Sequence, residues 1–217
     1  MRFKISLAAM NVILLALTAC SSGPQPADWQ INSKGATERA VAAYLQGNNR
    51  VEAAEMANAR AEISATGRID LMARAELLAC ASRVASLVFE PCAGFEKLRQ
   101  DAPPAEQAYA DYLAGQVQSQ DLHLLPKEQQ LSALNPTSNA IENIANPLSR
   151  LVAAGTSFQA GLASPALVQA AVDAASSQGW RRPLLAWLGV QLKLAESSGN
   201  APEAARVQRR MAVVLKP

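Results

Sequence analysis

The chain has 217 residues, which is enough for one sizeable domain. It is 50% hydrophobic but only 5% aromatic, and this composition, with its abundant alanine, favours packed helices. No apolar run reaches the roughly 20 residues that a membrane-spanning helix needs, so the sequence argues against anchoring by such a helix.

The first predicted element is a short apolar segment at the amino end. Arg2 and Lys4 precede a nearly all-apolar run over residues 5–17. A charged start, a short apolar core and small residues before a cleavage point are typical of a secretory signal peptide. Residues 1–19 are therefore predicted to be a signal peptide. One interpretation is an ordinary signal peptide that is followed by a cysteine by chance.

The segment ends in Leu17-Thr18-Ala19-Cys20, which resembles the lipobox of bacterial lipoproteins. The resemblance implies that the Cys20 thiol receives a diacylglyceryl group and that Cys20 becomes the first residue of the mature chain. Each buried methylene of such acyl chains contributes about 0.8 kcal/mol to membrane binding. Ser21 and Ser22 follow in place of an aspartate, which in this family favours the periplasmic face of the outer membrane.

The domain organisation follows from this processing. Residues 20–27 contain serine, glycine and proline with no large apolar side chain, and they are predicted to be a flexible lipidated tether. Residues 28–217 are predicted to form a single all-α domain. The central segment, from "RVASLVFEPCAGFEKL" to "AYADYLAG", is similar to uncharacterised exported lipoproteins of proteobacteria. That similarity supports the export and implies no activity.

The charges of the mature chain balance but are unevenly distributed. Residues 21–173 carry 11 basic and 16 acidic side chains, and residues 174–217 carry 7 basic and 2 acidic ones. The basic end is expected to contact anionic lipid, acidic cell-wall peptide or an acidic partner, or else to dock on the chain's own acidic part or face solvent. Nucleic acid is not expected as a partner, because the chain is predicted to be exported. The basic residues of this end are Arg181, Arg182, Lys193, Arg206, Arg209, Arg210 and Lys216.

In the amino-terminal half, helical spacing of apolar residues predicts three helices. The first covers residues 37–46 and ends at Gly47. The second covers residues 50 to about 66, with Asn49 as its cap. The third begins at Arg68 and ends near residue 86. The inner face of the second helix is expected to carry Val51, Ala54, Ala57 and Ala61.

The middle of the chain is less regular. A helix is predicted after Pro103-Pro104, with Ala108, Tyr109, Tyr112 and Leu113 among its inward residues. Pro126 is predicted to open a short helix over residues 127–134. A further helix over residues 137–155 is expected to be broken or kinked at Pro147, because proline removes a hydrogen bond from a helix.

The carboxyl end carries the clearest signals. Ser164 is a predicted N-cap before Pro165, and Gly179 ends that helix. Pro183 is predicted to open a helix that is apolar on most sides and therefore buried. Pro202 opens the last predicted helix, whose apolar stripe is Ala204, Val207, Met211 and Val214.

These helices predict an all-α fold built of antiparallel helical hairpins. The last two resemble a degenerate tetratricopeptide repeat in carrying Leu185, Leu188, Gly189, Leu192, Ala205, Ala212 and Pro217. The resemblance implies an irregular tetratricopeptide-like array. Any stacked helical hairpin also needs small residues where its helices cross, so an unrelated helical stack is the alternative.

Cys80 and Cys92 are the two cysteines left after processing. In an oxidising periplasm, two cysteines of one domain are more often paired than free. A disulfide is expected if the third helix ends near Ser86, because the chain then has enough residues to turn back. The alternative is two buried reduced thiols. The spacing excludes a redox CxxC motif, and a zinc site lacks further ligands.

No motif of a catalytic or cofactor site is found, and no cofactor or metal is expected. His123 is the only histidine, and a surface or capping role is predicted for it. Glutamate pairs such as Glu52/Glu55 and Glu38/Glu52 have the residue types of a glycosidase but no recognisable motif. The sequence thus favours a non-catalytic scaffold or adaptor for an envelope protein, on a lipid anchor in the outer membrane. The alternatives are a cell-wall hydrolase and a binder of a small envelope ligand.

Overall fold

A computed structural model describes residues 26–216 and is all-α, with no strand among those residues. The predicted signal peptide and Cys20 lie outside the described residues, as do most of the tether and Pro217. The helices are α1 (Asp28–Gln46), α2 (Asn49–Ser64), α3 (Ile69–Ala85), α4 (Ala93–Glu96), α5 (Pro104–Leu113), α6 (Lys127–Leu134), α7 (Ser138–Glu142), α8 (Pro147–Gln159), α9 (Pro165–Ser177), α10 (Arg181–Ser197) and α11 (Ala201–Leu215). Two 3-10 helices, Arg99–Asp101 and Ser119–Leu124, lie on either side of α5.

Helices α1 and α2 form a tight hairpin. Gly47 adopts a left-handed conformation with φ of 90°, which ends α1, and its amide donates to the carbonyl of Tyr44. The side chain of Asn48 then accepts a hydrogen bond from the amide of Val51 and caps α2. The cap is therefore one residue earlier than the predicted Asn49.

Helix α3 is central, because it packs against α1, α2, α5 and α8. It ends at Ala85, and the chain then turns through Leu87, which has a φ of 59°. The amide of Val88 donates to the carbonyl of Arg83 at 2.9 Å, which closes this turn. Because α3 ends at Ala85, the chain has enough residues to turn back, which is the condition for the predicted pairing of Cys80 and Cys92.

The core lies between α3, α5, α8, α9 and α10. Trp187 of α10 is fully buried, and its indole nitrogen donates to the carbonyl of Ala85 at 3.0 Å. Gly155 of α8 lies against the backbone of α3 at Val84, where an added Cβ would overlap the carbonyl oxygen. Small residues thus bring α3 and α8 together, and large residues of α9 and α10 fill the remaining space.

Helices α9, α10 and α11 pack in sequence, each on the next. Ser164 caps α9 by accepting a hydrogen bond from Leu167, as predicted, and Gly179 follows the helix with a φ of 64°. Helix α10 begins at Arg181, two residues before the predicted Pro183, so this proline lies in the first turn, where backbone amides need no helical partner. The tetratricopeptide-like arrangement stays a prediction.

Two further sequence predictions differ from the structure. Helix α1 begins at Asp28, nine residues before the predicted start. The residues predicted to line the inner face of α2 are exposed, and the buried face instead carries Glu52, Met56, Ala59 and Ile63. The break predicted at Pro147 is confirmed, because two helices, α7 and α8, are separated before this residue.

Candidate functional site: two cavities beside helix α3

Two apolar cavities lie next to each other along one stretch of α3. The cavity between α1 and α3, here the α1 cavity, has a volume of about 610 Å³. The cavity between α3, α5 and the second 3-10 helix, here the α5 cavity, has a volume of about 360 Å³. Both volumes are within the range typical of small-molecule sites. Arg74 and Leu78 line both cavities, so the two form neighbouring parts of one apolar surface.

The α1 cavity is open to solvent. Trp29 at the start of α1 lines it, together with Ile63, Leu71 and Ala75 from the next two helices. Leu78 is 41% exposed at its edge, although leucine is among the residues that are most often buried. The polar residues around the opening are Gln30, Ser33, Lys34, Thr37, Glu38, Arg68 and Arg74.

The α5 cavity contains a buried carboxylate. Glu106 of α5 is only 6% exposed, and the Nε of Arg74 donates to its Oε1 at 2.5 Å. Its Oε2 is shielded from solvent and accepts no hydrogen bond from the described residues. A buried polar atom without a partner costs free energy, more so when it carries charge. This oxygen is therefore a buried acceptor without a donor among the described residues.

Tyr109 supplies a second polar group to the α5 cavity. It follows Glu106 by three residues on α5, so both lie on one side of the helix. Burial, helped by the neighbouring Tyr112, raises the pKa of Tyr109 far above its ordinary value. Its hydroxyl makes no hydrogen bond with the described residues, whereas the hydroxyl of Tyr112 accepts one from Thr156 at 3.1 Å. Tyr109 is therefore a neutral hydroxyl with free hydrogen-bonding capacity.

A third depression, the ionic pocket, has a volume of about 370 Å³ and lies between α2, α3 and the loop before α4. Arg60 donates to both carboxylate oxygens of Glu76, at 2.5 and 3.0 Å. Arg83 donates to Glu52 at 2.6 Å and stacks over the ring of Tyr44. Because these four charges are paired with each other, they brace α2 against α3 rather than offer a free charge to a ligand.

Cys80 and Cys92 line the ionic pocket and lie at disulfide distance, with their Cα atoms 5.6 Å apart. The predicted proximity of the two cysteines is therefore confirmed. Gly94 follows two residues later, where an added Cβ would overlap the carboxylate of Glu76. The linked loop is thus held directly against the Arg60–Glu76 pair.

The structure separates the other residues that carry candidate chemistry. His123 is exposed in the second 3-10 helix, and its Nδ1 lies 2.7 Å from the carbonyl of Gln120. Of the suggested glutamate pairs, Glu52 is bonded to Arg83, Glu55 to Arg39 at 2.9 Å, and Glu38 to Lys34 at 3.5 Å. Within residues 26–216 no cluster of three or more metal-ligating side chains is found, and none of the described helices is apolar and long enough to cross a membrane.

The basic carboxyl end has mixed surroundings. Arg182 binds the carbonyl of Tyr44, and Arg206 pairs with Glu203 on its own helix. Arg181, Lys193, Arg209 and Lys216 are exposed and form no ion pair with a described residue. This end therefore does not dock as a whole on the acidic part of the chain.

Sequence reasoning placed Tyr109 inside but missed Arg74 and Glu106. Glutamate is rarely buried, so a hydrophobic pattern assigns Glu106 to the surface, where its partner Arg74 does lie. The two lie 32 residues apart, and nothing in their local sequence signals the pairing. Comparisons with protein-family models, with curated proteins and with solved structures found no match in any of the three.

Proposed function

We propose that this protein is a lipoprotein of the bacterial outer membrane, anchored on the periplasmic side through acylated Cys20. Its helical domain then acts as a non-catalytic scaffold or adaptor for an envelope protein. The lipobox-like Leu17–Cys20 supports the anchor. The α1 cavity carries the proposal of a scaffold, because it is a large apolar surface open to solvent with Leu78 exposed at its edge.

The chemistry of the α1 cavity indicates what such a partner presents. Its walls are apolar, and the charges at its opening balance, with Lys34 beside Glu38 and Arg68 paired with Asp70. A partner with large apolar side chains on a helix or loop fits this surface better than a strongly charged one. Binding would bury Leu78 and Trp29.

Site-specific photo-crosslinking tests the scaffold role in intact envelopes. A photoreactive residue at Leu78 is expected to form an adduct of one defined mass. The control position is Leu131, which is 72% exposed on α6 and lines neither cavity. No adduct at position 78, or the same adducts at both positions, would contradict the scaffold role.

The anchor is tested separately by the mass of the mature protein. The wild type is expected to begin at Cys20 and to carry acyl chains, and Cys20→Ala is expected to block both acylation and cleavage. A mature wild-type mass that fits an unmodified chain starting elsewhere would overturn the anchor. Release of soluble fragments from purified peptidoglycan would favour the hydrolase alternative over a non-catalytic role.

A further inference from the structure

The charged residues of helices α10 and α11 are separated along this pair of helices. The two helices pack on each other and are joined by a turn over residues 198–200, so they run antiparallel. Glu196 and Glu203, the only acidic residues of the two helices, lie near this turn. At the other end of the pair, Arg181 begins α10 and Lys216 follows α11. Positive charge is therefore concentrated at the end away from the turn.

A contact with α9 shows that the start of α10 and the second half of α11 are close in space. Arg210 of α11 donates to the Oγ of Ser176 at 3.3 Å. Ser176 lies in the last turn of α9, and only four residues separate it from Arg181. Asp173, the only acidic residue of α9, already accepts a hydrogen bond from Gln169 at 2.8 Å. Basic residues of α10 and α11 thus meet at one end of the domain.

Apolar side chains are exposed beside these basic residues. Val213 is 70% exposed and Leu215 is 61% exposed, and both lie in the last turn of α11. Arg209 precedes Val213 by four residues, so the two lie on one side of the helix. The α11 patch, as we name this surface, consists of Arg181, Arg209, Val213, Leu215 and Lys216. Its three basic residues are exposed and form no ion pair with a described residue.

The α11 patch is a surface without an enclosing cavity, because none of its residues lines the α1 cavity, the α5 cavity or the ionic pocket. Basic side chains next to exposed apolar ones are typical of helices that bind the boundary between lipid headgroups and acyl chains. Anionic lipids move laterally and can gather around scattered positive charges, whereas an acidic protein must present its carboxylates at matching positions. The patch therefore fits a lipid surface better than a folded acidic partner.

We propose that the α11 patch docks on the headgroup region of an anionic membrane. Val213 and Leu215 then lie at the boundary with the acyl chains, and the basic residues lie near lipid phosphates. The choice of a membrane rests on the proposed function, because an acylated Cys20 would hold the domain at a lipid surface. The eight residues from Cys20 to Asp28 can reach about 26 Å, and α1 is about 28 Å long, so anchor and patch can contact the same membrane.

Amide hydrogen exchange of the purified mature protein on lipid vesicles tests the proposal. The vesicles are phosphatidylcholine alone, or an equal mixture of phosphatidylcholine and the anionic lipid phosphatidylglycerol. Residues 209–216 are expected to exchange about three-fold or more slowly on the anionic vesicles, because docking covers them. Residues 127–134 of α6 should exchange equally on both. The difference is expected to disappear at about 0.5 M salt, because salt screens exposed charges.

The charge of the patch is tested by a pair of matched double variants. Arg209→Gln/Lys216→Gln removes two of its three positive charges and is expected to abolish the difference between the vesicles. Lys97→Gln/Lys127→Gln makes the same change of charge at two exposed residues of other segments and is expected to retain the difference. Each variant is compared between two vesicle types, so changes in its intrinsic exchange rate cancel.

The apolar part of the patch is tested in the same way. Val213→Ser is expected to reduce the difference between the vesicles, because it removes an apolar group from the boundary with the acyl chains. Leu131→Ser changes a residue of α6 that is 72% exposed and is expected to have no effect on that difference. Equal effects of these two variants would contradict the role of Val213.

Three outcomes would overturn the proposal as a whole. These are equal exchange on both vesicle types, slower exchange only outside residues 209–216, and an effect that survives Arg209→Gln/Lys216→Gln. Polyglutamate that slows exchange of residues 209–216 as much as the anionic lipid would also overturn it, in favour of an acidic protein partner. A mature protein without acyl chains would contradict the proposed anchor but not the α11 patch, because the comparison can still be made with excess vesicles.

Discussion

At the scale of single residues, burial determines the ionisation state of the tyrosines. All three tyrosines of the chain, Tyr44, Tyr109 and Tyr112, have a pKa raised above the ordinary value, and burial is the main cause for each. For Tyr44 the neighbouring Arg182 and Arg83 oppose this effect without cancelling it. The fold therefore favours the neutral form of every tyrosine.

The sign of the pH dependence follows from these raised values. A tyrosine with a folded-state pKa above its unfolded value of about 10 stabilises the fold fully below that pH, and the contribution is lost as the pH rises further. Phenolate absorbance is therefore expected to stay low through pH 10 and to rise only as the helical circular dichroism falls. The chain in strong denaturant serves as the control and should titrate near pH 10. Phenolate formation near pH 10 with full helicity would contradict the prediction.

The residue scale also shows why part of the site could not be predicted. Helical spacing of apolar residues also fits α9, where Leu167, Val168, Ala171, Val172 and Ala175 share one face and are all buried. The same rule failed on α2, because its buried face contains Glu52, whose charge is balanced by Arg83 from a different helix. Glu106 is hidden in the same way by Arg74. A buried carboxylate that pairs with a partly exposed arginine from a distant part of the chain has no local signature, so the sequence predicts the helices better than the cavities between them.

At the scale of helices, glycine has opposite roles in two of them. Gly155 of α8 lies where an added methyl group would overlap the backbone of α3, whereas Gly189 of α10 has open space around its missing Cβ. Gly155→Ala is expected to destabilise the protein by about 1–3 kcal/mol through overpacking. Gly189→Ala is expected to stabilise it by about 0.5–1 kcal/mol, because alanine is the better helix former. Denaturant unfolding measures both. A stabilising Gly155→Ala would show that the α3–α8 crossing is looser than described, and a destabilising Gly189→Ala would contradict the open space around Gly189.

The loop from α3 to α4 depends on the cysteines. Their separation of 12 residues closes a short loop, and linking them is expected to stabilise the fold by about 3 kcal/mol, mainly by restricting the unfolded chain. Reduction should therefore lower the melting temperature while the helical circular dichroism persists at low temperature. The double variant Cys80→Ala/Cys92→Ala provides the control, because its melting temperature should not respond to reductant. Two free thiols in a non-reducing peptide map of exported protein would contradict the linkage.

At the scale of the whole molecule, the amino-terminal hairpin and the carboxyl-terminal helices are joined by one arginine. The Nε of Arg182 in α10 donates to the carbonyl of Tyr44 at 2.7 Å, and its guanidinium also binds the side chain of Asn49. The same group lies 4.0 Å from the centre of the Tyr44 ring. These contacts join residues more than 130 positions apart, and they hold α1 and α2 against α10.

Loss of this arginine is therefore expected to loosen the hairpin before the rest of the domain. Arg182→Met keeps much of the apolar stem but removes the charge and the donors. It is expected to lower the free energy of unfolding by about 1–3 kcal/mol. Amide hydrogen exchange should accelerate at the end of α1 and the start of α2, while α9 keeps its protection. The neighbouring Arg181→Met is the matched control, because Arg181 is exposed and makes no ion pair or side-chain hydrogen bond with the described residues. Equal effects of the two variants, or faster exchange spread evenly over the chain, would mean that the hairpin and the core unfold together and that Arg182 does not join separate parts.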